Sequence, residues 1–187
     1  AFNAIMAKKT LLNEKEIFII LNRLACQLIE NHHDFSNTIL IGIQPRGVHL
    51  ANRLVKILTE DYQVKDIKLG KLDITFYRDD FRRREDPLSA SSTDINFIVD
   101  NKNVVFIDVV LFSGRSIRAA LTAIQAFGRP KNIELLVLID RRFSRHLPIQ
   151  PDYKGRQVDV IKNEQVKVEW KENEPKDKVC IVRPDPT

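Results

Sequence analysis

The strongest constraint on this chain is an alternation. Short runs of β-branched and aliphatic residues at 38–43, 104–107 and 133–139 are separated by segments with helical spacing. Residues 48–58 and 117–127 carry that spacing, and Gly128 and Pro130 end the second of them. A further helix is predicted at the start, where Asn13 and Glu16 have capping-box spacing and Ile17, Leu21, Leu24 and Leu28 recur at helical intervals to about Asn31. Apolar strands that alternate with crossover helices must be covered on both sides. The expected architecture is therefore α/β, a Rossmann-like parallel sheet flanked by helices.

Two regions depart from this rhythm. Residues 65–76 read as one long strand or two, alternating through Leu69, Leu72, Ile74 and Phe76, and the stretch to about Asn96 then becomes polar and patternless. After Pro151 the style changes again, to short strands at 165–170 and 179–182, and the tail reads as an antiparallel addition rather than another βα unit. With 43% hydrophobic and 29% charged residues, the chain suits one domain, taken as residues 5–187, with Ala1 to Ala4 an expression remnant or a frayed end. No apolar run approaches the roughly 20 residues that cross a bilayer, so a soluble, cytoplasmic protein without membrane partners is expected. Cys26 and Cys180 suit neither a disulfide framework nor a zinc site and read as free thiols. The net charge of +5 and pI near 9.2 point to an anionic partner, either a phosphorylated metabolite or RNA.

Two loops lie where ligands bind in such sheets, beyond the C-terminal ends of strands. The first, Ser113-Gly114-Arg115-Ser116, leaves the run at 104–108 and enters a helix. Its N–H groups and hydroxyls can cradle a phosphate, or one serine can simply cap the helix. The second, Gln44-Pro45-Arg46-Gly47, can admit a diphosphate beside Gly47 with Arg46 as a paired donor, or can be a plain turn.

The run VVFIDVVLFSGRS resembles the phosphoribosyl-pyrophosphate (PRPP) signature of type I phosphoribosyltransferases. With ILIGIQPRG, LDITFYRDD, LLVLIDRR and LPIQPDYKGR in order, the chain resembles the PyrR family from the first helix to about Cys180. That resemblance implies the type I phosphoribosyltransferase fold with a small hood built from the chain ends. It also implies transfer of the phosphoribosyl group of PRPP to uracil, giving UMP and pyrophosphate, and regulation of pyrimidine genes through leader RNA. The implied 5-phosphate cradle is Ser113, Gly114, Arg115 and Ser116, and the implied pyrophosphate loop is Pro45, Arg46 and Gly47. A lid would open at Tyr77, Arg78, Asp79 and Asp80, with Arg78 as a pyrophosphate clamp and Arg82, Arg83 and Arg84 as a solvated charge run. The base-reading hood would begin at Asp140 and Arg141, where Arg142-Phe143-Ser144 replaces a shorter segment with glycine. Basic contacts to RNA would come from Asn22, Arg23, Lys154 and Arg156 on a homodimer or higher homo-oligomer, with Cys26 where the family tends to have histidine.

The family's paired acids after the signature strand hold the ribose hydroxyls, directly or through Mg2+ bound with PRPP. Here the pair reads Asp108-Val109, so Asp108 alone is the catalytic and metal-facing acid. Valine offers no acceptor, and an unpaired substrate hydroxyl in a closed site costs about 1–3 kcal/mol. Weak transfer is expected. The alternatives are a non-catalytic RNA-binding regulator that responds to uridine nucleotides, and a purine phosphoribosyltransferase.

Overall fold

The computed structural model describes residues 7–78, 93–161 and 163–183. Strand β1 (Ala7–Leu12) leads into helix α1 (Glu14–His32), whose start carries the expected reciprocal cap. Glu16 N donates to Asn13 Oδ1 at 2.8 Å, and Asn13 N donates to Glu16 Oε1 at 3.3 Å. Then come β2 (Thr38–Gln44), α2 (Gly47–Glu60), β3 (Lys68–Asp73), β4 (Asn103–Leu111), α3 (Arg115–Ala123) and β5 (Asn132–Arg142). Strands β6 (Tyr153–Asp159), β7 (Gln165–Glu169) and β8 (Lys178–Arg183) complete the described chain.

Five strands form a parallel sheet in the order β3-β2-β4-β5-β6. Its central strands are apolar on both faces because both faces are covered. Leu40, Val105, Ile107 and Leu136 pack against Leu24 and Leu28 of α1 and Leu50 and Leu54 of α2. Ile39, Ile41, Phe106 and Val137 pack against Ile117, Ala120 and Ala123 of α3. A second, antiparallel sheet, β1-β8-β7, joins the two chain ends and forms the expected hood.

At the N-terminal edge of the parallel sheet, a buried polar cluster pins α1 to three strands. His32 Nδ1 lies 2.8 Å from Thr38 Oγ1, and its Nε2 lies 3.1 Å from Glu134 Oε2 and 3.2 Å from the Tyr153 hydroxyl. Asn31 Nδ2 donates to the same hydroxyl at 2.8 Å. Buried polar groups persist when partnered in this way, and here they leave the opposite edge of the sheet for the ligand.

The structure departs from the sequence reading at four places. The strand expected at 65–76 stops at Asp73, because the Asp73 carboxylate accepts from Thr75 N at 2.9 Å and turns the chain into the 3-10 turn Thr75–Tyr77, leaving Phe76 exposed. Strand β4 does not end at Asp108 but runs on to Leu111, held by β5 through the pairing of Leu111 with Asp140. The tail is not wholly antiparallel, since β6 extends the parallel sheet after an irregular crossover. The patternless stretch regains order before Asn96, where Lys71 and Asp94 exchange backbone hydrogen bonds of 2.9 and 2.8 Å. Among the described residues, no helix is long and apolar enough to cross a membrane. Both cysteines are free thiols, Cys26 half-buried and Cys180 buried. Asn13→Ala should lower the stability by about 1 kcal/mol, seen as a lower denaturant midpoint at unchanged slope.

Candidate active site

The ligand edge is built where β2 hands over to α2. After a cis Gln44–Pro45 peptide, Arg46 caps α2 and Gly47 begins it. A Cβ on Gly47 would stand 2.2 Å from the Ile107 carbonyl oxygen, so only glycine lets the helix start rest on β4. That contact carries Arg46 to Asp108. The Asp108 carboxylate accepts from Val109 N at 2.8 Å. Burial pushes its pKa up to about 6, against the pull of that N–H and of the positive charges of Arg46 and Arg78. Asp108 thus lies within electrostatic reach of Arg46 and Arg78, both remote from it in sequence.

The phosphate loop follows β4 directly. Gly114 adopts φ 93°, and a side chain there would be strained and would press on Leu147 and Ile149. Ser113 is buried, its Oγ accepting from Arg115 N at 3.3 Å and its carbonyl from His146 N at 2.9 Å. Ser116 lies in the first turn of α3. Arg115 does not reach inward, because its Nε donates to His146 Nδ1 at 3.3 Å and the side chain lies along the loop that follows β5. Arg145 of that loop holds the turn from behind, donating to the Phe112 carbonyl at 2.7 Å.

A cleft of about 810 Å³ opens between this edge and the hood. Pro45, Arg46 and His49 form one wall and Val109 and Val110 the floor. The hood contributes Lys8, Gln165, Val166, Lys167 and Trp170. Cations line it and, among the described residues, no carboxylate does, which suits an anionic ligand. Lys8, His49, Gln165 and Trp170 were not singled out from sequence. Only His49 left a usable signal, one helical turn beyond Arg46 on a helix that was expected.

Other expected site residues are placed differently. Asp140 is buried and paired with Arg145 at 2.5 Å, and Arg141 stacks on Phe112 at 4.3 Å while donating to the Glu164 carbonyl at 3.1 Å. Both therefore brace the loop after β5 and the start of β7. Arg23, Lys154 and Arg156 lie where α1 rests on β6, whereas Asn22 bonds within α1. Asn22 Nδ2 bonds the Phe18 carbonyl at 2.9 Å, and Arg23 donates to the carbonyls of Gly155 at 2.6 Å and Lys154 at 3.3 Å. Lys154 is exposed, and Arg156 lies 3.6 Å from Glu16. The remainder of the expected lid, with Asp79, Asp80, Arg82, Arg83 and Arg84, lies outside the described residues. Among the described residues no group of three or more His, Cys, Asp or Glu could hold a metal. A carboxylate such as Asp108 would suit a magnesium ion carried mainly by a diphosphate and water.

Residues 7–173 match the phosphoribosyl transferase domain family. The bifunctional protein PyrR of Desulfosudis oleivorans is 42% identical over 180 residues, 96% of this chain and 99% of that protein. The bifunctional protein PyrR of Microcystis aeruginosa is 43% identical over 173 residues, 92% of this chain and 96% of that protein. Among solved structures, a hypoxanthine-guanine phosphoribosyltransferase of Leishmania tarentolae in complex with GMP superposes with a TM-score of 0.72 at 13% identity, covering 95% of this chain and 97% of that one. A hypoxanthine phosphoribosyltransferase of Staphylococcus aureus gives 0.67 at 20% identity, covering 95% and 93%. These structures share the fold. The chain belongs to the PyrR family, within the phosphoribosyl transferase domain family.

Proposed function

We propose that this protein transfers the phosphoribosyl group of PRPP to uracil, releasing pyrophosphate and forming UMP, and that it also binds RNA. What supports the first part is membership of the PyrR family together with a cation-lined cleft under the hood, whose lining includes Arg46 and the Val109 that follows Asp108. The 5-phosphate of PRPP would lie on the N–H groups of residues 113–116, and the diphosphate against Arg46 and the α2 start, with Arg78 as the second cation. Asp108 would accept from the ribose hydroxyls. The C1–O bond to pyrophosphate breaks as a uracil ring nitrogen forms its bond to C1, and the nitrogen's proton passes to the departing diphosphate. The electron pair leaves on the diphosphate, where the arginines stabilise it. Asp108 is the carboxylate that would face a magnesium ion carried in with PRPP, which would supply charge neutralisation on the diphosphate.

Val109 lies on the cleft floor and offers the ribose nothing. Wild-type turnover with uracil should be measurable but slow, and Val109→Asp should raise it about tenfold or more. Equal rates in the two proteins would remove the account of Val109. A panel of bases decides the purine alternative, for which only the fold likeness speaks. Absence of turnover with retained UMP binding would establish the regulator reading that Val109 favours.

Asp108 generates a pH prediction. A carboxyl whose folded pKa is raised favours the folded state below its ordinary value near 3.8, and that contribution is lost as pH climbs through about 6. PRPP binding, which uses the carboxylate, should weaken as pH falls through about 6. Asp108→Asn should lose activity and that pH limb while melting higher than wild type at pH 7.5, since it removes a buried charge.

Lys154 and Arg156 support the RNA part, as exposed cations on one face with α1. Replacing either with alanine should weaken RNA binding and lower the slope of log affinity against log salt by about one. Filter-binding titrations at several salt concentrations read both quantities.

A further inference from the structure

Helix α2 carries Arg46, His49 and Arg53 at spacings of three and four, so the three share one face. That face looks toward the turn between β7 and β8, which bears Glu172 and Asp177. The Arg53 guanidinium forks onto Asp177, with Nη1 2.5 Å from Oδ2 and Nη2 2.8 Å from Oδ1. The same Nη2 donates to both oxygens of Glu172, at 2.8 and 3.0 Å. Its plane lies 4.6 Å over the Trp170 ring, and Asp177 Oδ1 also accepts from Lys171 N at 2.7 Å. His49 Nδ1 is 3.9 Å from Glu172. Trp170 and His49 line the cleft, whereas Arg53 does not.

We infer that uracil binds under the hood, on the Trp170 side of the cleft, and that Arg53 is a positioning residue that sets the hood there and couples it, through α2, to the loop 45–47. It touches no substrate, and it rests on the phosphoribosyl-transfer reading for its role in turnover. Among the described residues, the hood is tied to the body by a buried bond from Arg141 to the Glu164 carbonyl at the start of β7 and by a part-buried one from Arg53 to Asp177 at the start of β8. Only the second is on the element that also presents Arg46. A diphosphate drawn to Arg46 therefore bears on the helix that holds Trp170, and base affinity depends on how firmly that helix grips the turn. Lysine could hold Asp177 as a point charge but could not fork onto it while stacking on the indole.

Trp170 is the one tryptophan of the chain, so its emission reports on this contact. The test measures kcat, the KM values for uracil and PRPP, Trp170 emission and the melting temperature for the whole protein and for Arg53→Met, Arg53→Lys and Asp177→Asn. Arg53→Met should shift emission to the red and raise the uracil KM about tenfold while kcat stays within about twofold. Arg53→Lys should recover part of the loss. An unchanged uracil KM despite a shifted emission, or losses in kcat and both KM values that track the folded fraction alone, would overturn the proposal. Asp177→Asn removes one partner of the fork and serves the same comparison if Arg53→Met does not fold. If the wild type makes no UMP from uracil and PRPP, the enzymatic reading fails separately. UMP titration of Trp170 emission then tests the clamp alone: Arg53→Met should weaken binding, and equal affinities would exclude it.

Discussion

The contact on which the ligand edge depends is the one between Gly47 and the backbone of β4. Helix starts carry unpaired N–H groups and partial positive charge, but a start that stands off the sheet would aim them at solvent. Here the missing side chain lets α2 settle on the Ile107 carbonyl, which brings Arg46 to Asp108 and fixes the angle at which the helix runs under the hood. The phosphate loop is fixed independently, by the left-handed Gly114 and by the loop after β5 that closes on Ser113. Two anion-binding elements are thus set by two unrelated backbone requirements, and the parallel pairing of β2 with β4 keeps them in register.

The single acid changes the electrostatics as well as the hydrogen bonding. One carboxylate faces two arginines, so the edge remains net positive, whereas a second acid beside Asp108 would cancel that excess and would itself be hard to ionise next to a like charge. On the proposed reading, Val109 would leave the attraction for a diphosphate intact while withdrawing support from the sugar. Binding and turnover would then be separable quantities, because different atoms would serve them.

The parts legible in sequence were those encoded by local rules. The capping box at Asn13, the apolar runs of β2, β4 and β5, and the two glycine-bearing loops all declared themselves through spacing and residue type. What escaped depended on partners remote in the chain. Strand β1 is a short, lysine-bearing segment that becomes a strand by pairing with β8 at the other end. Strand β6 is polar and contains Gly155, and nothing local distinguishes its parallel pairing with β5 from an antiparallel tail. Asp140 and Arg141 were assigned by position, but Arg145, a residue of the unusual Arg142-Phe143-Ser144 region, claims the Asp140 carboxylate. The resemblance supplied the roles, and the long-range packing decided which side chains were free to take them.

Strand β6 is also the outer edge of the parallel sheet, and a bare edge invites another strand to add to it. Its sequence works against that. Lys154 and Arg156 stand exposed along it, and Arg23 lies across its backbone, bonding the carbonyls of Lys154 and Gly155. The charges that make this face attractive to a polyanion are thus also what keeps the sheet from growing by accretion. A neutral residue at either position would leave the edge more open to an added strand, whatever else these charges bind.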